Sequence, residues 1–329
     1  MDQGLFLHIL SQIKKDKPTV HLQGWGEPLI QKGFLSFVRL LKQEGINTSF
    51  TTNGSVMTKN LAEELLESGV DGITFSMAGS CSTTQDELRG AGTFSLLLNS
   101  IATFVSARER YHQGCSQIAV SYLLTPETVQ ELPQAVSWCR RVGVDVFVTV
   151  HLTQSAGPVQ DNLAFLPSKK ESSKYRYLRF RTNTRALFGK MQINMKPFYP
   201  TMTSVCDKNP ISSLFINANG DVSPCVFHAP PVKNEIAWRR NGIDAYQKAL
   251  VMGNVNDLTL KEIWESERYK AFREKYKQRR EYHDSRLARV SYSLAGVVEL
   301  ETARKEIKEY FASHPVPKQC LACAKTNGY

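Results

Sequence analysis

Long apolar runs are missing from this 329-residue chain: none reaches the roughly 18 residues that a membrane-spanning helix needs. No cleavable signal pattern opens it either, and Met1 to Pro18 carries acidic Asp2, so the cytoplasm is the expected compartment and no membrane partner is expected. Cysteine is scarce at seven residues, which excludes a disulfide scaffold. In a reducing compartment those seven read as thiols, metal ligands or small buried hydrophobes. Glycine (20) and proline (14) are too few for a collagen-like or low-complexity chain. With 42% hydrophobic and 22% charged residues the composition is that of an ordinary globular protein with a sizeable core. At about 150 residues per domain, the length suggests two domains.

Acidic residues are also short in number, 31 against 41 Lys and Arg, leaving a net charge of +10. The excess is local. From Lys169 to Lys196 there are nine Lys or Arg against the single acid Glu171, which is +8 of the +10. This stretch follows a Gly/Pro/Ser-containing segment, Ser155 to Ser168, that reads as a linker. Within it, Tyr175 to Arg181 interleaves arginine with aromatics. Three readings fit: a solvated edge with snorkelling arginines, a site for an anionic substrate or peptide, and, less favoured, a nucleic-acid contact.

The first 151 residues repeat one unit. Helical periodicity over Leu5 to Ile13 precedes a short apolar run, Thr19 to Leu22. A helix from Phe34 to Gln43 ends at Gly45 and is followed by a strand, Ile46 to Thr51. Helix Leu61–Leu66, strand Val70–Phe75, helix Phe94–Ala107, strand Ile118–Leu124, helix Leu132–Arg141 and strand Val144–His151 continue the alternation. Alternation at this spacing means βαβ crossovers and a parallel sheet, so the fold class is α/β. In such arrays ligands sit at the carboxyl ends of the strands.

The polar and glycine-rich turns fall at those ends. The first strand runs into Gln23-Gly24-Trp25-Gly26-Glu27-Pro28, where glycines let the backbone approach a ligand and a carboxylate can hold an ammonium. The second runs into Thr51-Thr52-Asn53-Gly54. The third ends in Ser76-Met77-Ala78-Gly79, with Arg89 thirteen residues after Ser76; a hydroxyl and a guanidinium together can bind a carboxylate.

As an ordered set these turns resemble the radical S-adenosylmethionine (SAM) enzymes, in particular those with a cysteine-rich C-terminal extension of the SPASM or twitch kind. The resemblance implies a partial (β/α)6 barrel followed by a smaller α+β domain. It implies that Gly24, Gly26, Glu27 and Pro28 form the turn that binds the methionine ammonium, that Thr52 and Asn53 belong to the Thr-Asn-Gly turn, and that Ser76 and Arg89 bind the SAM carboxylate. Leu123, on the strand Ser121 to Leu124, falls near the adenine. The family's Cys-x3-Cys-x2-Cys loop, which holds the SAM-cleaving [4Fe–4S] cluster, is absent: the first cysteine is Cys81. The first strand carries the turn of the family's second unit, so the expectation is that one unit, with its catalytic cluster, precedes Met1.

In the second half, Cys206, the turn Asn219-Gly220-Asp221-Val222 leading to Pro224-Cys225, and the pair Cys320-Leu321-Ala322-Cys323 present four thiols. From spacing alone they suit one [4Fe–4S] cluster or one tetrahedral Zn²⁺. The SPASM-type extension resembles Cys206, the Asn219–Cys225 hairpin, Gly253-Asn254 and the helix Leu260 to Phe272 with Ile263 and Trp264, which implies an auxiliary [4Fe–4S] cluster. The basic segment Arg273 to Arg289 and the stretch Val297 to Tyr310 read as a solvated or partner-facing helical pair. Cys81, Cys115 and Cys139 fit no ligand spacing; Cys139 is expected in the core. His151 reads as a core histidine, with substrate contact the rival reading.

The expected organisation is a barrel over 1–160, a basic connecting segment over 161–200 and an auxiliary-cluster domain over 201–329. The resemblance implies SAM cleavage to a 5′-deoxyadenosyl radical that abstracts hydrogen from a substrate, with peptide or protein modification the leading class, and an electron donor such as flavodoxin or ferredoxin. The rival functions are a catalytically silent iron–sulfur scaffold or electron-transfer protein, and a zinc-binding interaction module.

Overall fold

A computed structural model describes residues 1–111, 116–152, 161–184, 190–230, 236–240, 243–291, 295–321 and 323–329. Cys115, Arg185 and residues 155–160 of the Ser155–Ser168 segment lie outside the described residues. The chain divides into two compact units, Met1–Leu152 with Asn162–Phe198, and Thr153–Asp161 with Tyr199–Tyr329.

The first unit is a six-stranded sheet in the order β1 (Val20–His21), β2 (Thr48–Thr52), β3 (Gly72–Met77), β4 (Gln117–Leu124), β5 (Val146–His151) and β6 (Gln192–Asn194). Every pairing is parallel. The crossovers are helices α2 (Phe34–Gln43), α3 (Lys59–Glu67), α4 (Ser82–Arg89), α5 (Thr93–Arg110) and α6 (Leu132–Val142), with α7 (Arg176–Thr184) before β6; α1 (Gln3–Ile13) leads the unit. The alternation along the strands decides which face is covered. Phe50, Ile73, Phe75, Val120, Tyr122 and Phe147 are buried in one core with Leu65, Leu97, Phe104 and Val136 of the helices. Their neighbours Ser49, Thr51, Thr74, Ser76, Ser121 and Leu123 are only half-buried, on the opposite face. Helix α1 stacks Phe6 on Phe37 of α2, ring centroids 4.1 Å apart, and is capped by Asp2, which accepts the Leu5 N–H at 2.9 Å.

Two aspartates tie the amino ends of alternate strands. Asp71 accepts the Thr48 N–H (2.7 Å) and pairs with Lys42. Asp145 accepts the Ile118 N–H (2.7 Å) and pairs with Arg108, whose guanidinium also donates to the carbonyls of Ser116 and Gly143.

The sixth strand corrects the sequence reading, which counts five strands and takes 161–200 as a connecting segment. Gln192–Asn194 pairs with Val146–Val148 as a short edge strand, and the helix before it buries Leu178 and Thr182 against the unit. Three residues with one central isoleucine are too short to show a period against the lysines and arginines around them.

The second unit holds the antiparallel sheet β7 (Phe215–Ile216), β8 (Asp221–Ser223) and β11 (Gly253–Asn254), and the hairpin β9 (Ile236–Arg240) and β10 (Ile243–Gln247). Gly220 turns the β7–β8 hairpin at φ +90°, where a Cβ would lie 2.8 Å from Asn256 Nδ2 and 2.9 Å from Asn254 Oδ1. Three helices follow: α8 (Leu260–Glu265), α9 (Glu267–Leu287) and α10 (Ala295–Ser313). The stretch Leu260 to Phe272, expected as one helix, breaks at Ser266, whose hydroxyl caps α9 by accepting the Tyr269 N–H. Nor are the basic residues of α9 all solvated. Arg279 is buried with its guanidinium 3.7 Å over the Phe311 ring, donating to the carbonyls of Thr203, Ser204, Phe311 and His314. Arg273, also buried, lies 3.8 Å over Trp264 and donates to its carbonyl at 2.7 Å. Among the described residues no single helix is long and apolar enough to cross a membrane.

Candidate functional site

At the carboxyl end of the sheet, three successive strand-end turns meet. Glu27 follows β1 and caps the short 3-10 turn Pro28–Ile30 by accepting the Leu29 N–H. Its carboxylate is held from the next turn: Thr52 Oγ1 donates to Oε1 at 2.7 Å, and the Asn53 N–H donates to Oε2 at 2.7 Å. The Thr52 hydroxyl in turn accepts the Gly54 N–H at 3.0 Å, and Asn53 Oδ1 accepts the Ser55 N–H at 2.8 Å. A carboxylate can accept about four hydrogen bonds, so Glu27 keeps acceptor capacity for an ammonium group. Gly26, at φ +109° with nothing within 4 Å of where a Cβ would stand, leaves open backbone beside it. Gly24 and the half-exposed Trp25 complete the turn.

Thr52 pairs with Phe75 across β2 and β3, so Ser76 lies one residue beyond it in the next strand. Arg89 Nη2 reaches Ser76 Oγ at 3.5 Å. Two devices position this pair. Gln85, buried in α4, accepts the N–H groups of Ala78 (2.7 Å) and Gly79 (3.0 Å) on one side-chain oxygen. Asp86 accepts those of Gly92 (2.9 Å) and Phe94 (2.8 Å), which fixes the turn following Arg89 and holds its carboxyl below the usual range. Glu131, before α6, gathers the Ser80 N–H and hydroxyl and the Thr84 hydroxyl, with the Cys81 thiol 3.6 Å away. Leu123 lies on β4, half-buried, with its carbonyl accepting the Thr128 hydroxyl. Sequence reading missed Gln85, Asp86 and Glu131; Glu131 is 51 residues from Ser80, and no local spacing signals that contact. It also missed His21, whose ring nitrogens contact Ser49 Oγ (2.8 Å), Gln23 Oε1 (2.7 Å) and Thr51 Oγ1 (3.2 Å) on the open face.

His151 is core. It is buried, with Nδ1 2.8 Å from the Phe165 carbonyl and Nε2 2.9 Å from the Pro197 carbonyl. Cys139 is fully buried on α6, and burial pushes its thiol up.

In the second unit Cys206, Cys225, Cys320 and Cys323 line one hollow, with Lys208 and Lys325 at its edge. The β7–β8 hairpin delivers Cys225, and the 3-10 turn Lys318–Cys320 presents Cys320. Burial raises the Cys206 thiol, pushes Cys225 up to about 12 and raises Cys320. Such thiols ionise only with a positive partner, which a metal centre supplies. The Tyr276 hydroxyl is buried at the same hollow, beside the Cys320 thiol. Among the described residues no three Cys, His, Asp or Glu close on a point that a single ion would occupy. Four thiols lining one hollow can supply the four cysteine ligands of a [4Fe–4S] cluster.

Two family profiles match the chain: the radical SAM superfamily over residues 4–139 and the SPASM iron–sulfur cluster-binding domain over 206–285. The chain belongs to the radical SAM superfamily, with a SPASM domain. Its family cofactors are therefore SAM and [4Fe–4S] clusters. Over 276 residues it is 27% identical to the tungsten-containing aldehyde ferredoxin oxidoreductase cofactor-modifying protein of Pyrococcus furiosus, covering 83% of this chain and 75% of that one. It is 23% identical over 126 residues to the mycofactocin maturase MftC of Mycobacterium tuberculosis, covering 38% of this chain and 31% of MftC. The fold is that of SuiB from Streptococcus suis, solved with S-adenosylmethionine, at TM-score 0.59 and 15% identity over 82% of this chain. The chain spans 60% of the length of SuiB.

Proposed function

We propose that this radical SAM chain binds SAM at the carboxyl ends of β1 to β4 and acts on a peptide. The observation that carries the reading is Glu27, whose carboxylate is fixed by Thr52 and Asn53 yet keeps acceptor capacity beside the open Gly26 backbone. In this reading Glu27 and the Gly24–Gly26 backbone receive the methionine ammonium, Pro28 sets the turn, and Ser76 with Arg89 receives the carboxylate. Thr52 and Asn53 orient Glu27, and Leu123 packs near the adenine. The four cysteines ligate one auxiliary [4Fe–4S] cluster. A reduced [4Fe–4S] cluster on a Cys-x3-Cys-x2-Cys loop supplies the electron with which this superfamily cleaves SAM; no such triplet occurs in the 329 residues. The protein's share is to orient SAM and keep water and competing reactions out.

A peptide substrate is supported by the relatives. MftC is a maturase, and SuiB has been solved with its precursor peptide SuiA. In this chain α7 presents the exposed Tyr177 and Phe180 among arginines, with Arg181 5.8 Å over the Tyr177 ring, a surface complementary to an acidic peptide. Flavodoxin or ferredoxin is the class of electron donor.

The test is anaerobic turnover by the reconstituted protein with SAM, a reductant and short peptides encoded beside the gene. Formation of 5′-deoxyadenosine with a mass change in one peptide is the expected result. 5′-Deoxyadenosine without change in any peptide overturns the peptide assignment, and its absence overturns the activity.

A further inference from the structure

The hollow of the second unit holds two hydrogen-bond donors besides its thiols. His228 Nε2 lies 3.3 Å from Cys320 Sγ, with both residues buried. The placement is not a loose rotamer. His228 ends the 3-10 turn that starts at Cys225, its N–H donating to the Cys225 carbonyl at 3.1 Å and its own carbonyl accepting the Leu250 N–H at 2.9 Å. Its ring stands edge-on to Phe272, centroids 6.3 Å apart. One helical turn beyond Phe272 on α9, Tyr276 is almost fully buried, and its hydroxyl lies beside the same thiol.

We propose that His228 and Tyr276 are positioning residues of the auxiliary centre, donating hydrogen bonds to its sulfur at the Cys320 corner and so raising its reduction potential. The inference rests on the reading that the four cysteines ligate a [4Fe–4S] cluster. A metal-bound thiolate only accepts, so the 3.3 Å contact requires the Nε2–H tautomer of His228 as donor. The Tyr276 hydroxyl, beside the Cys320 thiol, has its acceptor in that thiolate or in a cluster sulfur. Leaving such a donor unpaired in a buried site is costly, which a bound cluster relieves. Adding an electron makes the sulfurs more negative, so each donor favours the reduced state; hydrogen bonds to sulfur and solvent exclusion are among the levers that set such potentials. Lys208 and Lys325 at the rim act in the same direction, although Lys325 is already paired with Asp207 at 2.9 Å.

The experiment is a dye-mediated redox titration of the anaerobically reconstituted 329-residue chain, followed by visible absorbance and electron paramagnetic resonance. Variants are His228→Phe, Tyr276→Phe and His228→Gln, with iron and sulfide counted in each. Both Phe variants keep ring packing and remove a donor; each is expected to retain its iron while the oxidised-to-reduced ratio at fixed potential rises about tenfold, a shift of about 59 mV to more negative values for one electron. His228→Gln, which still carries an N–H, lies between His228→Phe and the parent. Unchanged potentials in iron-loaded His228→Phe and Tyr276→Phe, or shifts to more positive values, overturn the inference. Should His228→Phe lose its iron, Tyr276→Phe decides alone by the same criterion. A parent chain that binds zinc or no iron sinks the cluster reading itself, before the two donors come into question.

Discussion

The Thr52 hydroxyl donates to Glu27 Oε1 across 2.7 Å, joining the turn after β1 to the turn after β2. The two residues are 25 apart in sequence, and the parallel pairing Val20↔Thr48 brings their turns to the same edge of the sheet. Thr52→Val keeps the shape and removes the donor. With the Asn53 N–H still in place, the expected loss is that of one hydrogen bond to a charged group, about 1.5–3 kcal/mol, or roughly ten- to a hundredfold in SAM affinity. Equilibrium dialysis against SAM measures it, and an unchanged affinity shows that Thr52 does not orient Glu27.

Asp86 gives the Arg89 turn a pH dependence. The N–H groups of Phe94 and Gly92 hold its carboxyl below the ordinary 3.8. A depressed folded value means that this contribution is fully present above the unfolded value of about 3.9 and is lost as pH falls through the lower folded value. Amide exchange at Gly92 and Phe94 should therefore accelerate, relative to the surrounding helices, only below about pH 4. In Asp86→Asn that acid-specific loss of protection is expected to vanish.

Gly79 is packed against the α4 start, where a Cβ would lie 2.6 Å from the Gln85 backbone nitrogen and closer still to the Thr84 side chain. Gly79→Ala is expected to cost about 1–3 kcal/mol by overpacking. Gln85→Leu leaves two N–H groups unpaired and falls in the same range, about 1–3 kcal/mol. Urea unfolding reads both. The Ser76–Arg89 pair flanks this turn, so each variant should also weaken SAM binding.

Arg279 donates through its side chain to the Thr203, Ser204, Phe311 and His314 carbonyls. Arg279→Leu removes charge and donors together and is expected to cost roughly 3 kcal/mol in unfolding free energy. A loss below about 0.5 kcal/mol, the scale of an ordinary surface substitution, contradicts a buried structural role.

Much of the sheet and of the strand-end turns was legible because both are local. Period-2 and period-3.6 patterns, glycine stops at Gly45, Gly69 and Gly143, and polar turns after β1, β2 and β3 each lie within a few residues. Gly143, for instance, ends α6 in the left-handed conformation that a glycine C-cap supplies. What escaped was short or long-range. The strand Gln192–Asn194 is defined by its partner β5, not by its own pattern. Gln85 and Glu131 look like ordinary helix-surface residues until the fold turns them onto the Ala78–Cys81 backbone. The basic run on α9 hid two buried arginines, because a guanidinium over an aromatic ring carries the same letters as a solvated one. His228 and Tyr276 meet Cys320 over separations of 92 and 44 residues (320 − 228 and 320 − 276), which no motif spacing reveals.

The central claim is that Glu27 receives the SAM ammonium, and the most direct measurement is SAM affinity in anaerobically reconstituted protein with Glu27 intact and with Glu27→Ala. The account predicts that the parent binds SAM and that Glu27→Ala binds at least about tenfold more weakly, roughly 1.4 kcal/mol or more, while unfolding at a similar urea concentration. Equal affinity in the two folded proteins would contradict it.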